Sequence, residues 1–282
     1  MSRTAKPTVF ILLLATVLVA GCNNDALTAD EAKEAMDEIA LSTQALNFTS
    51  SSEELVVETD FTIGEAVEAA AEEIRDFVVS QLPCAGITLQ GATLTVQYGA
   101  NAGSCVYNGH TFSGEHEISV ERNEEAEVLV HHRWTDFSNG EITVSGSADV
   151  TWSLDDRSRH VVHELQWERL ADGRTGTGSG DRVQKALEGG IREGISVDGT
   201  RAWESERGRW DLDIDNIEMR WVDPVPQAGR LELVTPFDDK SASLIFQRSD
   251  GSTIRVTFET GERSFKFMVK KVGALPMITR AD

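Results

Sequence analysis

From Ile87 onward the apolar residues fall on every second position and hold their parity across successive turns, which restricts this stretch to an antiparallel meander over residues 87–270. A one-residue slip would send every apolar side chain to the opposite face, so parity is a direct test of register. A loop at Ser249-Asp250-Gly251 pairs Ala242 with Phe258, Leu244 with Val256 and Phe246 with Ile254. A two-residue turn at Gly261-Glu262 then sets Phe258 against Phe265, Val256 against Phe267 and Ile254 against Val269. With a loop at Ser138-Asn139-Gly140, Trp134 opposes Val144, Val130 opposes Ala148 and Val128 opposes Val150, and Gly140 takes the left-handed position such a loop requires. Around Asp215-Asn216 the same arithmetic sets Trp210 against Trp221, Leu212 against Met219 and Ile214 against Ile217. Asn108-Gly109, Asp172-Gly173, Asp198-Gly199 and Asp250-Gly251 add turn punctuation, and only Arg182 to Glu188 suggests a further helical turn or two.

Two helices precede the sheet. Thr28-Ala29-Asp30-Glu31 is a capping box, followed by Ala32, Met36, Ile39, Ala40, Thr43 and Leu46 at helical spacing, with Glu34, Asp37 and Glu38 left outside. Thr62-Ile63-Gly64-Glu65 repeats the device before Val67, Ala70, Ala71, Ile74, Phe77 and Val78, and Pro83 stops that helix. Asn47 to Ser52 has the composition of an intervening loop. The expected fold class is therefore α+β: two N-terminal amphipathic helices, a helical hairpin over 28–82, packed on a large curved antiparallel β-meander within one domain, 28–282. A β-sandwich with a helical N-terminal extension is the alternative.

Twenty-six Lys and Arg stand against 47 Asp and Glu, a formal charge of −21, so a nucleic-acid partner is not expected; phosphate binding needs clustered cations. Residues 1–21 have a different character. Arg3 and Lys6 open the segment, Val9 to Val19 is apolar but too short to span a bilayer, and Leu18-Val19-Ala20-Gly21-Cys22 closes it. That pattern resembles the lipobox of bacterial lipoproteins. The resemblance covers residues 1–22 alone, and it implies cleavage before Cys22, acylation of that thiol and a membrane partner reached through an N-terminal lipid anchor. Asn23, where an Asp would imply inner-membrane retention, points to the outer membrane facing the periplasm. Residues 22–27 form a short tether. In an oxidising compartment the two other thiols, Cys84 and Cys105, are expected to form a disulfide.

Catalytic patterns are incomplete. His163-Glu164-Leu165-Gln166-Trp167 opens like a zinc motif but has Trp at the second ligand position. His160 and His163, like His131 and His132, point to opposite faces of a strand, and His110 and His116 would lie roughly 20 Å apart along one strand. Gly176-Thr177-Gly178-Ser179-Gly180 is neither a nucleophile elbow nor a phosphate loop; its glycines share one face and would admit a bulky neighbour such as Trp167. Asp211, Asp213 and Asp215 open like a calcium loop, but Asn216 and Val222 stand where Gly and a bidentate Glu are needed. In the expected hairpin Asp211 faces Arg220 and Asp213 faces Glu218. The acidic run Glu121 to Glu127 has the composition of a solvated turn. Trp134, Trp167 and Trp210 are in step with the core, leaving Trp203 as the candidate exposed binding aromatic.

No cofactor, metal or catalytic group is expected. The functional expectation is a non-enzymatic cell-envelope lipoprotein with a binding or structural role; the alternative is a carrier of lipid or another hydrophobic ligand in a half-barrel sheet.

Overall fold

The computed structural model describes residues 26–57, 66–107, 110–122, 127–153, 157–190, 193–220, 223, 225–238, 240–272 and 275–281. Antiparallel strands dominate it, with two helices, α1 (Ala29–Val57) and α2 (Val67–Gln81). The chain divides into two compact units. Leu41–Ser179 form one, and the described residues up to Ala40 together with those from Gly180 onward form the other.

In the Leu41–Ser179 unit the strands are β1 (Gly86–Gln90), β2 (Thr93–Tyr98), the short pair β3 (Val106–Tyr107) and β4 (His110–Thr111), β5 (Ser113–Arg122), β6 (Val128–Ser138), β7 (Ile142–Ser153) and β8 (Ser158–Arg169). Apart from the β3–β4 pair, neighbours hydrogen-bond antiparallel in chain order. Alternation sorts the side chains as parity requires. Val161, Leu165 and Trp167 of β8 are buried while Val162, Glu164 and Gln166 between them are exposed.

The C-terminal part of α1 fills that dry face. Leu41, Ala45, Leu46 and Phe48 are buried, and the Phe48 ring stacks on Phe137 at 4.3 Å, with Phe112 at 5.8 Å. Asn47 to Ser52, expected as a loop, is helix instead. The hydroxyls of Thr49, Ser51 and Ser52 donate to the carbonyls of Leu46, Phe48 and Thr49 three residues back, so a polar run is satisfied without leaving the helix. Ser52 Oγ also accepts from the Trp134 indole at 3.0 Å. The capping box at Thr28 forms as expected, Thr28 Oγ1 accepting from the Glu31 amide and Glu31 Oε2 from the Thr28 amide. The narrow stripe does not hold. Glu38, expected outside, is 2% exposed, whereas Met36 and Ile39 are only half-buried.

For α2, Ala70, Ala71, Ile74 and Val78 are buried against β5, β1 and β2, while Glu72, Glu73 and Asp76 face solvent. The helix closes with the Leu82 amide on the Val78 carbonyl, one residue before Pro83. The box expected at Thr62 to Glu65 lies outside the described residues; Ala66 stands at the N-cap without a side-chain bond.

The second unit contains β10 (Gly194–Ser205), β11 (Gly208–Arg220), β12 (Ala228–Val234), β13 (Ser241–Arg248), β14 (Thr253–Thr260), β15 (Arg263–Val272) and β16 (Leu275–Ala281), again antiparallel in chain order. The sheet thus continues past residue 270. Strand β9 (Arg174–Ala186) passes through the division, and it replaces the helical turns expected from Arg182. Burial of Arg182 and Gln184 with exposure of Asp181 shows the period of two there.

Register follows expectation at Gly261-Glu262, where Phe258 pairs with Phe265, Val256 with Phe267 and Ile254 with Val269. Two other hairpins are displaced by two residues. Leu244 pairs with Phe258 and Phe246 with Val256, because the loop spans Ser249 to Ser252 and both Ser249 and Asp250 amides bond the Thr253 carbonyl. Val130 pairs with Val150 and Trp134 with Gly146, since a bulge between Trp134 and Phe137, with Asp136 at φ 48°, shifts the ladder. A two-residue displacement changes partners but not faces, so the same side chains remain in the core. Gly140 has φ +83°, the left-handed conformation expected of it.

The hairpin expected at Asp215-Asn216 does not exist. Strand β11 runs straight through it with a bulge, pairing Trp210 with Trp203 and Leu212 with Leu233. Asp198-Gly199, expected as a turn, is likewise an irregularity inside β10, and Asp198 Oδ1 accepts from the Asn216 amide at 2.7 Å. Asn216 at φ 45° and Gly199 at φ 139° use the conformational freedom of turn residues to bulge a strand rather than end it.

Candidate functional site

The expected disulfide is present. Cys84 and Cys105 are bonded with Cα atoms 5.3 Å apart across a sequence separation of 21, enclosing β1 and β2. Closing a loop of that length restricts the unfolded chain by about 3 kcal/mol. Denaturant unfolding with and without reductant should therefore differ by that amount. Reaction of both thiols with an alkylating reagent in unreduced, denatured protein would contradict the bond. Cys22, the expected acylation site, lies outside the described residues.

The first described residues are locked to the body. Ala26 and Leu27 are 4% and 2% exposed, and the Leu27 amide donates to Thr260 Oγ1 at 2.9 Å. That hydroxyl donates onward to the Ser241 carbonyl at 3.0 Å. Gly261 leaves room for the approach, since a Cβ there would lie 2.9 Å from the Ala26 nitrogen. One turn further, Glu31 accepts from Lys240 Nζ at 2.9 Å and Glu34 pairs with Arg207. The Glu31 carboxyl is held below the usual range; burial opposes this, while the Thr28 amide and Lys240 favour the ionised form. Pro236 abuts Gly208, and Phe237 meets Trp210 edge-on at 5.5 Å. The start of α1 is thereby clamped to the β10–β11, β12–β13 and β14–β15 turns, all at one end of their strands.

Histidines supply the most unusual chemistry of the other unit. His116 Nε2 and His132 Nδ1 are 2.9 Å apart, and Tyr98 Oη lies 3.4 Å from His116 Nδ1. His116 and His132 are 0% and 2% exposed, stacked beside Trp134. Burial, with His132 nearby, lowers the His116 pKa well below its ordinary value; burial, with Arg159 and His131 nearby, takes His132 down to about 3. One of the two imidazoles must accept across their 2.9 Å contact and so be neutral, and burial favours the neutral form of both.

His131 faces the other way, as expected, and meets Asp149 at 2.7 Å and Glu121 at 3.7 Å on the solvent side. His160 is exposed and His163 buried, also on opposite faces. His110 lies on β4 beside Phe48 and Phe112, not on one strand with His116. The cross-strand His116–His132 contact was not foreseen. The signal was present, since His116 shares parity with Ile118, and His132 with Val130 and Trp134, which puts both on the dry face. Arg182 and Arg201 are buried in the same unexpected manner; burial, then the charge of Arg182, lowers the Arg201 pKa to about 9, and Arg201 lies over the Trp203 ring.

Trp134, Trp167 and Trp210 are core residues as expected. Trp203 is not an exposed binding aromatic. It is 2% exposed and stacked on Trp210 at 6.0 Å, because β10 pairs with β11 and places the two rings opposite each other. Gly176 does admit Trp167, whose ring lies 2.5 Å from where a Cβ would be. Asp211, Asp213 and Asp215 lie along continuous β11. Asp211 is bonded by Arg209 rather than facing Arg220, and Asp213 stands opposite Thr200 and Glu232 rather than Glu218. The acidic run near Glu121 falls partly outside the described residues.

Among the described residues no group of three or more His, Cys, Asp or Glu is arranged to hold a metal ion, and no helix is long and apolar enough to cross a membrane. No protein-family model, curated protein or solved structure matches this chain.

Proposed function

We propose that the chain is an acylated cell-envelope protein, held at the outer membrane through Cys22, with a binding or structural role that involves no catalysis. The observation that carries this reading is the coincidence of a charged start, an apolar run and Ala20-Gly21-Cys22 with a body locked in place from Ala26 onward. The Cys84–Cys105 disulfide supports an oxidising compartment. Multiple acyl chains give stable attachment by themselves, at about 0.8 kcal/mol per buried methylene, so the acidic body needs no membrane-binding patch of its own.

The filled interior of the Leu41–Ser179 unit weighs against a hydrophobic-ligand carrier. Phe48 occupies the aromatic cluster and Ser52 holds the Trp134 indole, so the dry face is covered by the chain's own helix. Mass analysis of the mature N-terminal peptide tests the proposal. Diacylglyceryl and acyl groups on Cys22 are expected, and Cys22→Ala should abolish lipid labelling and move the protein out of the membrane fraction. An unmodified N-terminus upstream of residue 22 on the mature protein would overturn it.

A further inference from the structure

We propose that the β10–β11, β12–β13 and β14–β15 turns form the membrane-facing surface of their unit, lying end-on against lipid headgroups. This rests on the acylation of Cys22 proposed above. Only Asn23, Asn24 and Asp25 separate Cys22 from Ala26, so the tether spans at most about 14 Å even when fully extended. Ala26 is no free linker residue. It is buried beside Gly261, and its neighbour Leu27 is bonded to Thr260. The acylated end of the chain therefore leaves the body at the β14–β15 turn. The other two turns share that end, joined to the start of α1 through Lys240–Glu31 and Arg207–Glu34.

Tether length favours end-on contact. Cys22 lies within about 14 Å of Ala26, and Ala26 packs beside Gly261 of the β14–β15 turn, so the lipid surface is held near that end of the strands. The opposite end of β14, at the Ser249–Ser252 loop, then stands about 27 Å further from the surface.

The test uses full-length acylated protein extracted from membranes and reconstituted into phosphatidylcholine vesicles containing headgroup spin-labelled lipid. A fluorophore is attached at Glu262→Cys or at Ser252→Cys, both exposed turn positions, with the native disulfide intact. The expected result is at least threefold stronger quenching at 262 than at 252. Equal quenching, as side-on contact would give, or stronger quenching at 252 would overturn the inference. The mass of the Cys22 peptide is measured on the same sample. An unacylated peptide defeats the underlying reading, whereas an acylated peptide with equal quenching defeats this inference alone. Tryptophan fluorescence checks the fold of each labelled protein, and Asp238→Cys, exposed on the β12–β13 turn, replaces Glu262→Cys if that variant fails to fold.

Discussion

Phe48→Ala is expected to destabilise the Leu41–Ser179 unit by about 3–5 kcal/mol, the cost of truncating a fully buried aromatic side chain. Phe48 is 1% exposed, and its ring is the point where α1 meets an aromatic cluster: Phe137 stacked at 4.3 Å, Phe112 at 5.8 Å and, through them, Tyr98 within 5.6 Å of Phe137. Removing it leaves a void bounded by rigid rings, Phe112 between β4 and β5 and Phe137 on β6, which cannot collapse without moving the sheet. Since domains are typically stable by only about 5–15 kcal/mol, the loss would consume a large share of the total. Urea unfolding followed by tryptophan fluorescence measures it. A change of under about 0.5 kcal/mol, the usual range for surface positions, would mean that Phe48 is solvated and that this part of α1 is not docked.

Acid should weaken the same unit steeply. The unfolded chain binds a proton at each histidine near the ordinary value of 6.5, whereas the folded state keeps His132 neutral down to about 3 and His116 neutral well below its ordinary value. Between those limits the unfolded state holds more protons, so stability is complete above about pH 6.5 and is lost as the pH falls. For His132 alone the loss reaches about 3 kcal/mol by pH 4.5, with His116 adding in the same direction. Denaturant midpoints from pH 7.5 to 4.5 check this. His116→Leu combined with His132→Leu should flatten the slope over that window, whatever it does to stability at pH 7.5. An unchanged slope in the double variant would show that carboxylates, not this pair, set the acid sensitivity.

The dry faces are legible in the sequence because strand periodicity is strict. Val161, Leu165 and Trp167 are buried where parity puts them, and so are Phe246, Val256 and Phe258 even though their cross-strand partners shifted by two. Partners were harder to read because a bulge costs one or two residues of ladder without altering the apolar pattern, as at Asp136. Asp198-Gly199 and Asp215-Asn216 show the same ambiguity from the other side: residues that tolerate positive φ suit a bulge as well as a turn.

The second half of α1 was illegible for a different reason. Asn47 to Ser52 has weak helical preference, and tertiary burial together with hydroxyl bonds to the helix's own carbonyls outweighs it. Polar residues on the dry face obey the same parity as the apolar ones. His116, His132 and Arg201 sit there because each is held by a neighbouring ring or hydrogen bond. Trp203 is buried because its strand partner is Trp210, which the expected Asp215-Asn216 hairpin would pair with Trp221 instead. At the N-terminal end of the body, the sequence shows a segment resembling a lipobox but not the clamp of Leu27 and Glu31, which depends on Thr260 and Lys240, more than two hundred residues away along the chain.

Hydrogen exchange of the native protein tests most directly the claim that the part of α1 from Leu41 onward fills the dry face of the Leu41–Ser179 unit. Amides from Asn47 to Ser52 should exchange as slowly as those of Val130 and Val161 in the strands that cover them, opening only with the whole unit. Complete exchange of that segment within seconds, while the strands stay protected, would contradict the account.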